Sequence, residues 1–239
     1  MDSAKKLGGN LPAFKNLGEK ENPPLRAFTS GEEIIHSLTH GATAALAILA
    51  TVMLAIRATP LGNVHTLGAI LFGISLIILY SASATYHATC AVYPPNVESR
   101  IRSFAQKLDH CSIFILIVGT YIPACFTSLG GFVGWAVFSV VGSCCAFGFV
   151  LNAISVERFQ GVSLWIYIIT GWTIVIASAA LYSAIGRDGF SYLVLGGIFY
   201  TVGVIFYRLQ NVKYMHIVWH ALVILGSVMH YITVYFYCY

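Results

Sequence analysis

Apolar residues run through this chain in stretches about as long as a bilayer's hydrocarbon core is thick, divided by short polar or turn-forming breaks. Seven such stretches follow in order, at residues 33–56, 68–87, 108–127, 132–151, 162–185, 192–207 and 214–237. Each is near the roughly 20 residues that a spanning helix needs, and a helix satisfies its own backbone N–H and C=O groups where no water can. The breaks carry turn or charge signals: Pro60 and Gly62, Pro94 and Pro95, Gly130 and Gly131, Glu157 and Arg158, then 186–189 and 208–213. All are short, which predicts one compact bundle. The sixth stretch is the weakest, being short and rich in glycine (Gly196, Gly197, Gly203), although small residues also let helices pack closely in lipid.

Composition changes the picture by excluding the soluble alternative. With 58% hydrophobic residues, 9% charged residues and a mean hydropathy of +0.79, the 239-residue chain reads as an all-α, polytopic membrane protein, a seven-transmembrane-helix bundle over residues 31–239. Residues 1–30 read as a flexible basic cytosolic arm, with Lys5, Lys6, Lys15, Lys20 and Arg26 among Gly, Pro and Asn and no apolar core of signal-peptide length. If that arm is cytosolic, the second, fourth and sixth loops add Arg100, Arg102, Lys107, Arg158, Arg208 and Lys213 to the inner side. Only Arg57 and Arg187 of the 13 basic residues then lie outside, so the positive-inside rule predicts a cytosolic N-terminus and an extracytoplasmic C-terminus. The six cysteines show no CxxC spacing and read as free buried thiols.

Ionisable groups at membrane depth are costly and call for a reason. The most informative is the pair in His216-Ile-Val-Trp-His220, which an i, i+4 spacing puts on one helix face, as in helical zinc sites. In the predicted topology the second helix ends at His87, the third opens at Asp109 and the seventh starts with His216 and His220, all at the cytosolic end. Three imidazoles and a carboxylate at one level predict a metal site, with zinc the default for imidazole ligands and one open position. Singly, each has a plainer reading: Asp109 as a helix N-cap, His87 as an interfacial histidine, the pair as hydrogen-bonded without metal. Ser83 lies one turn before His87 and shares its face, as a site hydroxyl or a packing serine. Glu33, His36, Thr39 and His40 form a polar stripe on the first helix, either outer support for the site or an interfacial capping turn. His230, about 15 Å further along the last helix, reads as a core histidine. His65 and His110 are given no role.

The motifs resemble those of the hemolysin III-like branch of the progestin and adipoQ receptor family, which includes the adiponectin receptors. Glu33-Ile-Ile-His-Ser-Leu-Thr-His40 is similar to its first motif, Ser83-Ala-Thr-Tyr-His87 to its SxxxH, Asp109-His-Cys-Ser-Ile-Phe with Gly119-Thr-Tyr-Ile-Pro123 to its third-helix block, and His216-Ile-Val-Trp-His220 continued to His230 to its last motif. The resemblance spans the chain from Glu33 to His230, and departs from the pattern at His36, where the family usually carries Asn. It implies a zinc ion held by His87, His216 and His220, with Asp109 near the water that the metal activates. The leading expectation is an intramembrane zinc hydrolase in which Asp109 takes a proton from that water and Ser83 bonds the water or the developing oxyanion. Its substrate would be a lipid within the bilayer rather than nucleic acid, and the likeness to the adiponectin receptors favours a lipid amide such as ceramide. The alternatives are a seven-helix receptor or sensor with structural zinc and, as the branch name suggests, a membrane-permeabilising hemolysin.

Overall fold

The computed structural model describes residues 26–93 and 99–239, so residues 1–25 of the expected arm and the Pro94–Pro95 turn lie outside the described residues. Among the described residues all regular structure is helical. Helix α1, Ser30–Ala58, starts ahead of its apolar pattern because a capping box fixes it: the Thr29 hydroxyl accepts from the Glu32 N–H and the Glu32 carboxylate accepts from the Thr29 N–H. The arm expected to reach residue 30 is thus packed structure from Arg26 onward. After a tight turn at Thr59–Leu61, α2 runs over Asn63–Val92.

Helix α3, Arg100–Pro123, departs most from the apolar pattern. It begins well before residue 108, with the Ser99 hydroxyl accepting from the Arg102 N–H. Arg100, Arg102 and Lys107, read from sequence as loop charges, occupy its first turns. Asp109 is therefore interior to the helix, and the N-cap reading of that residue is corrected. A wide turn at Ala124–Leu129 follows Pro123, and Gly130 at φ 61° leads into α4, Gly131–Ile154.

The remaining helices are α5 (Val156–Trp172), α6 (Ser178–Arg208) and α7 (Met215–Thr233). Among the described residues six stretches are long and apolar enough to cross a membrane, where the sequence predicts seven. The difference lies in Val156–Arg208, a 53-residue stretch that joins the expected fifth and sixth segments. The polar loop expected at 186–189 shrinks to one residue, Gly186 at φ 70° and ψ 178°, and the chain is helical again from Arg187.

The surface is inverted relative to a soluble protein: Phe132 is 86% and Ile176 83% exposed, whereas His36, His87, His220 and Asn152 are at most 2% exposed. That inversion suits a protein dissolved in lipid, and the chain is a multi-pass integral membrane protein. Helices α1 and α2 pack side by side, α2 packs on α3, α6 on α7, and α7 returns to α1. The glycines of the sixth stretch belong to these contacts, since a Cβ at Gly203 would sit 2.8 Å from the Trp219 ring on α7 and one at Gly196 would meet His230. Two buried polar networks cross the bundle. Tyr80 on α2 donates to Ser227 on α7 at 2.7 Å, with the Tyr200 hydroxyl of α6 also 2.7 Å from that oxygen. Asn152 on α4 accepts from Ser163 at 2.6 Å and donates to Tyr167 at 2.9 Å, both on α5.

Candidate metal centre

Helical periodicity assembles the site. On α1, Glu33, His36 and His40 recur one and two turns apart, so all three point inward and are buried. The same spacing turns Ser83 and His87 inward near the end of α2, and His216 and His220 near the start of α7. Because α1 and α7 start where α2 ends, all seven side chains gather at one end of the bundle.

The Glu33 carboxylate organises the cluster. Its Oε2 lies 2.6 Å from His87 Nδ1 and 3.7 Å from His36 Nδ1. An ionised carboxylate can only accept, so His87 donates from Nδ1 and its Nε2 is left free for a ligand bond. Donor atoms of His36, His87 and His216 all lie within 4.8 Å of one another. The trio suggested by sequence was His87, His216 and His220. His220 also belongs to the cluster, with its ring 4.9 Å from that of His87 and 4.8 Å from that of His216, and with His40 stacked on it at 3.7 Å.

Both ring nitrogens of His36 and of His40, and Nδ1 of His216 and of His220, are buried without a hydrogen-bond partner. Buried polar atoms are nearly always paired, and four neighbouring rings with unpartnered nitrogens, each able to offer one lone pair, ask for a common acceptor. A metal ion meets that demand, and neutral nitrogen donors fit zinc. The residues present therefore fit the metal that the motifs imply.

A cavity of about 440 Å³ opens beside the cluster, and Ser83, His87, Asp109, His216 and His220 all line it. Asp109 is half-buried, with Oδ2 3.6 Å from His110 Nδ1. His36 is not among the lining residues. Thr39, expected on the inner stripe, instead turns its hydroxyl back to the carbonyls of Ile35 and His36 at 2.9 Å each. His110, given no role from sequence, lines the cavity. His230 Nε2 lies 3.2 Å from the Leu193 carbonyl, as a core histidine would, and the ring lines a separate, smaller pocket.

Sequence reasoning missed the strap over the cluster. Phe28 places its ring 5.1 Å from His36 and 5.0 Å from His216. Arg26 holds it there by donating to both Glu32 carboxylate oxygens, at 3.0 and 2.7 Å, and from its backbone N–H to Asn211 Oδ1 at 3.0 Å. Those Glu32 hydrogen bonds push the Arg26 guanidinium above its ordinary pKa. Glu32 also accepts from the Tyr214 N–H at 3.3 Å, just ahead of α7. The available signal was a second acid, Glu32, beside Glu33 at the mouth of an apolar helix.

Helices of this length, an inverted surface and a histidine cluster under one carboxylate define a polytopic membrane protein built around a candidate metal centre. Residues 28–231 match the model of the haemolysin-III related family, and the chain belongs to that family, in its hemolysin III-like branch. It is 35% identical to the hemolysin-3 homolog of Bacillus subtilis (strain 168) over 212 residues, covering 88% of this chain and 96% of the relative. It is 36% identical to hemolysin-3 of Bacillus cereus over 207 residues, 86% of this chain and 91% of that one. A more distant relative is the monocyte to macrophage differentiation factor of Homo sapiens, 21% identical over 181 residues, 71% of this chain and 69% of the relative.

Proposed function

We propose that the protein is a zinc-dependent intramembrane hydrolase of a lipid amide, ceramide-like in type, working at the cytosolic end of a seven-pass bundle. The observation that carries this reading is that His87, His216, His220, Asp109 and Ser83 all line one cavity. Zinc held by the histidines would supply a Lewis acid that polarises a carbonyl and lowers the pKa of a water. Asp109 would take the proton of the attacking water on its carboxylate, and the Ser83 hydroxyl would donate to the oxyanion as it forms. Glu33 holds the Nδ1–H of His87 and so fixes the face that this ring presents. Apolar helices around the cavity select a lipid, and the likeness to the adiponectin receptors favours an amide. Purified protein incubated with ceramides and other lipid amides should release fatty acid, and a chelator should stop the release. No release from any lipid amide, followed by mass spectrometry, would sink the reading.

The seven passes rest on Gly186. A straight helix of the joined stretch would extend about 80 Å, well over twice the roughly 30 Å of the hydrocarbon core, and the non-helical residue divides it into two. A reporter fused after Tyr239 is then expected outside the cytosol and one at Met1 inside it. Both reporters on the same side would overturn the seven-pass count.

A further inference from the structure

Four imidazole rings gather around one point, although the donor atoms that lie within 4.8 Å of one another are those of His36, His87 and His216. The ring centroid of His36 lies 4.7 Å from that of His87, 4.8 Å from that of His216 and 5.0 Å from that of His220. The other three separations are 5.2 Å for His87 and His216, 4.9 Å for His87 and His220, and 4.8 Å for His216 and His220. Six nearly equal distances among four points describe a nearly regular tetrahedron. Its centre lies about 3 Å from every centroid, and an imidazole bound through a nitrogen at about 2 Å from zinc puts its own centroid at about that distance.

Two further observations single out His36. Its Nδ1 lies 3.7 Å from the Glu33 oxygen that takes the hydrogen bond of His87 Nδ1 at 2.6 Å, so the carboxylate sits on the Nδ1 side of both rings. Both His36 nitrogens are nevertheless buried and without a hydrogen-bond partner. A histidine kept there only to support His87 would be expected to make a bond of its own.

We propose that His36 is a fourth ligand of the metal and that the resting site is a closed shell of four imidazoles. The inference rests on the metal reading above and adds regulation to it, because the position a water needs is filled until His36 gives way. Closed four-ligand shells hold structure, and shells of three protein ligands leave room for chemistry. In this chain the same metal passes from one to the other by the movement of one side chain.

Cobalt(II) reports the shell without any turnover. Full-length protein loaded with cobalt in detergent should show the visible spectrum of four-nitrogen tetrahedral cobalt, unchanged by added azide. His36→Asn should keep cobalt through the other three histidines, show an altered spectrum, and shift again at an azide concentration to which the wild type does not respond. A wild-type spectrum matching that of His36→Asn, or one that shifts with azide equally, overturns the proposal. X-ray absorption on the zinc-loaded wild type counts ligands whatever the variant does: four imidazoles are expected, and three with an oxygen overturn it. A wild type that binds neither metal fails the metal reading itself, an outcome distinct from a metal bound without His36.

Discussion

Replacing His216 and His220 together with alanine is expected to strip the protein of its zinc. Both imidazoles come from one face of α7, and their loss leaves no more than two of the four rings, fewer than any stable zinc shell uses. Metal analysis of purified protein should fall from about one zinc per chain to a trace. Stability should follow, because a metal that binds the folded state at 100 times its Kd adds about 2.7 kcal/mol. Thermal unfolding of the wild type should thus move upward with added zinc and that of the double variant should not. A full complement of zinc in the double variant would remove α7 from the ligand set.

Asp109→Asn carries the second large effect, on turnover rather than on metal. The residue lies inside α3, whose cap is Ser99, so the substitution leaves the helix start untouched. It is nearly isosteric and removes the basic oxygen that would take the proton. Zinc content and unfolding temperature should stay at wild-type values while lipid amide hydrolysis drops about 100- to 10,000-fold, the usual cost of losing a general base. Unchanged turnover would end the catalytic role, and loss of zinc along with activity would make Asp109 a ligand.

Most of the architecture can be read from the apolar pattern, because in lipid a run of that length must be a helix. The pattern fails where a helix carries charge. Arg100, Arg102 and Lys107 look like a loop to any hydropathy argument, yet Ser99 caps them as the opening turns of α3. The same limit applies at 186–189, where Arg187 and Asp188 suggest a polar loop and the backbone leaves the helix at Gly186 alone. At the site, the gathering of His87, Asp109, His216 and His220 at one end follows from helix direction and spacing. The nearness of His36 to those rings does not, since it depends on how far α1 is rotated against α2 and α7. Phe28 was invisible for a related reason: Arg26, Glu32 and Tyr214 hold it in place, and they meet only in three dimensions.

That meeting also sets a schedule. Arg26 reaches Asn211 across 185 residues and Glu32 reaches Tyr214 across 182, so the beginning of the described chain is fastened to almost its last helix. At about 5 to 20 residues per second, roughly ten to forty seconds of translation separate the emergence of α1 from that of α7. Until then Glu33, His36 and His87 wait in the membrane beside a gap that α7 has yet to fill. A chain cut short before Met215 could insert five of its six apolar stretches and still never assemble the cluster. On the metal reading proposed above, capture of the ion would wait until the two ends of the described chain have met.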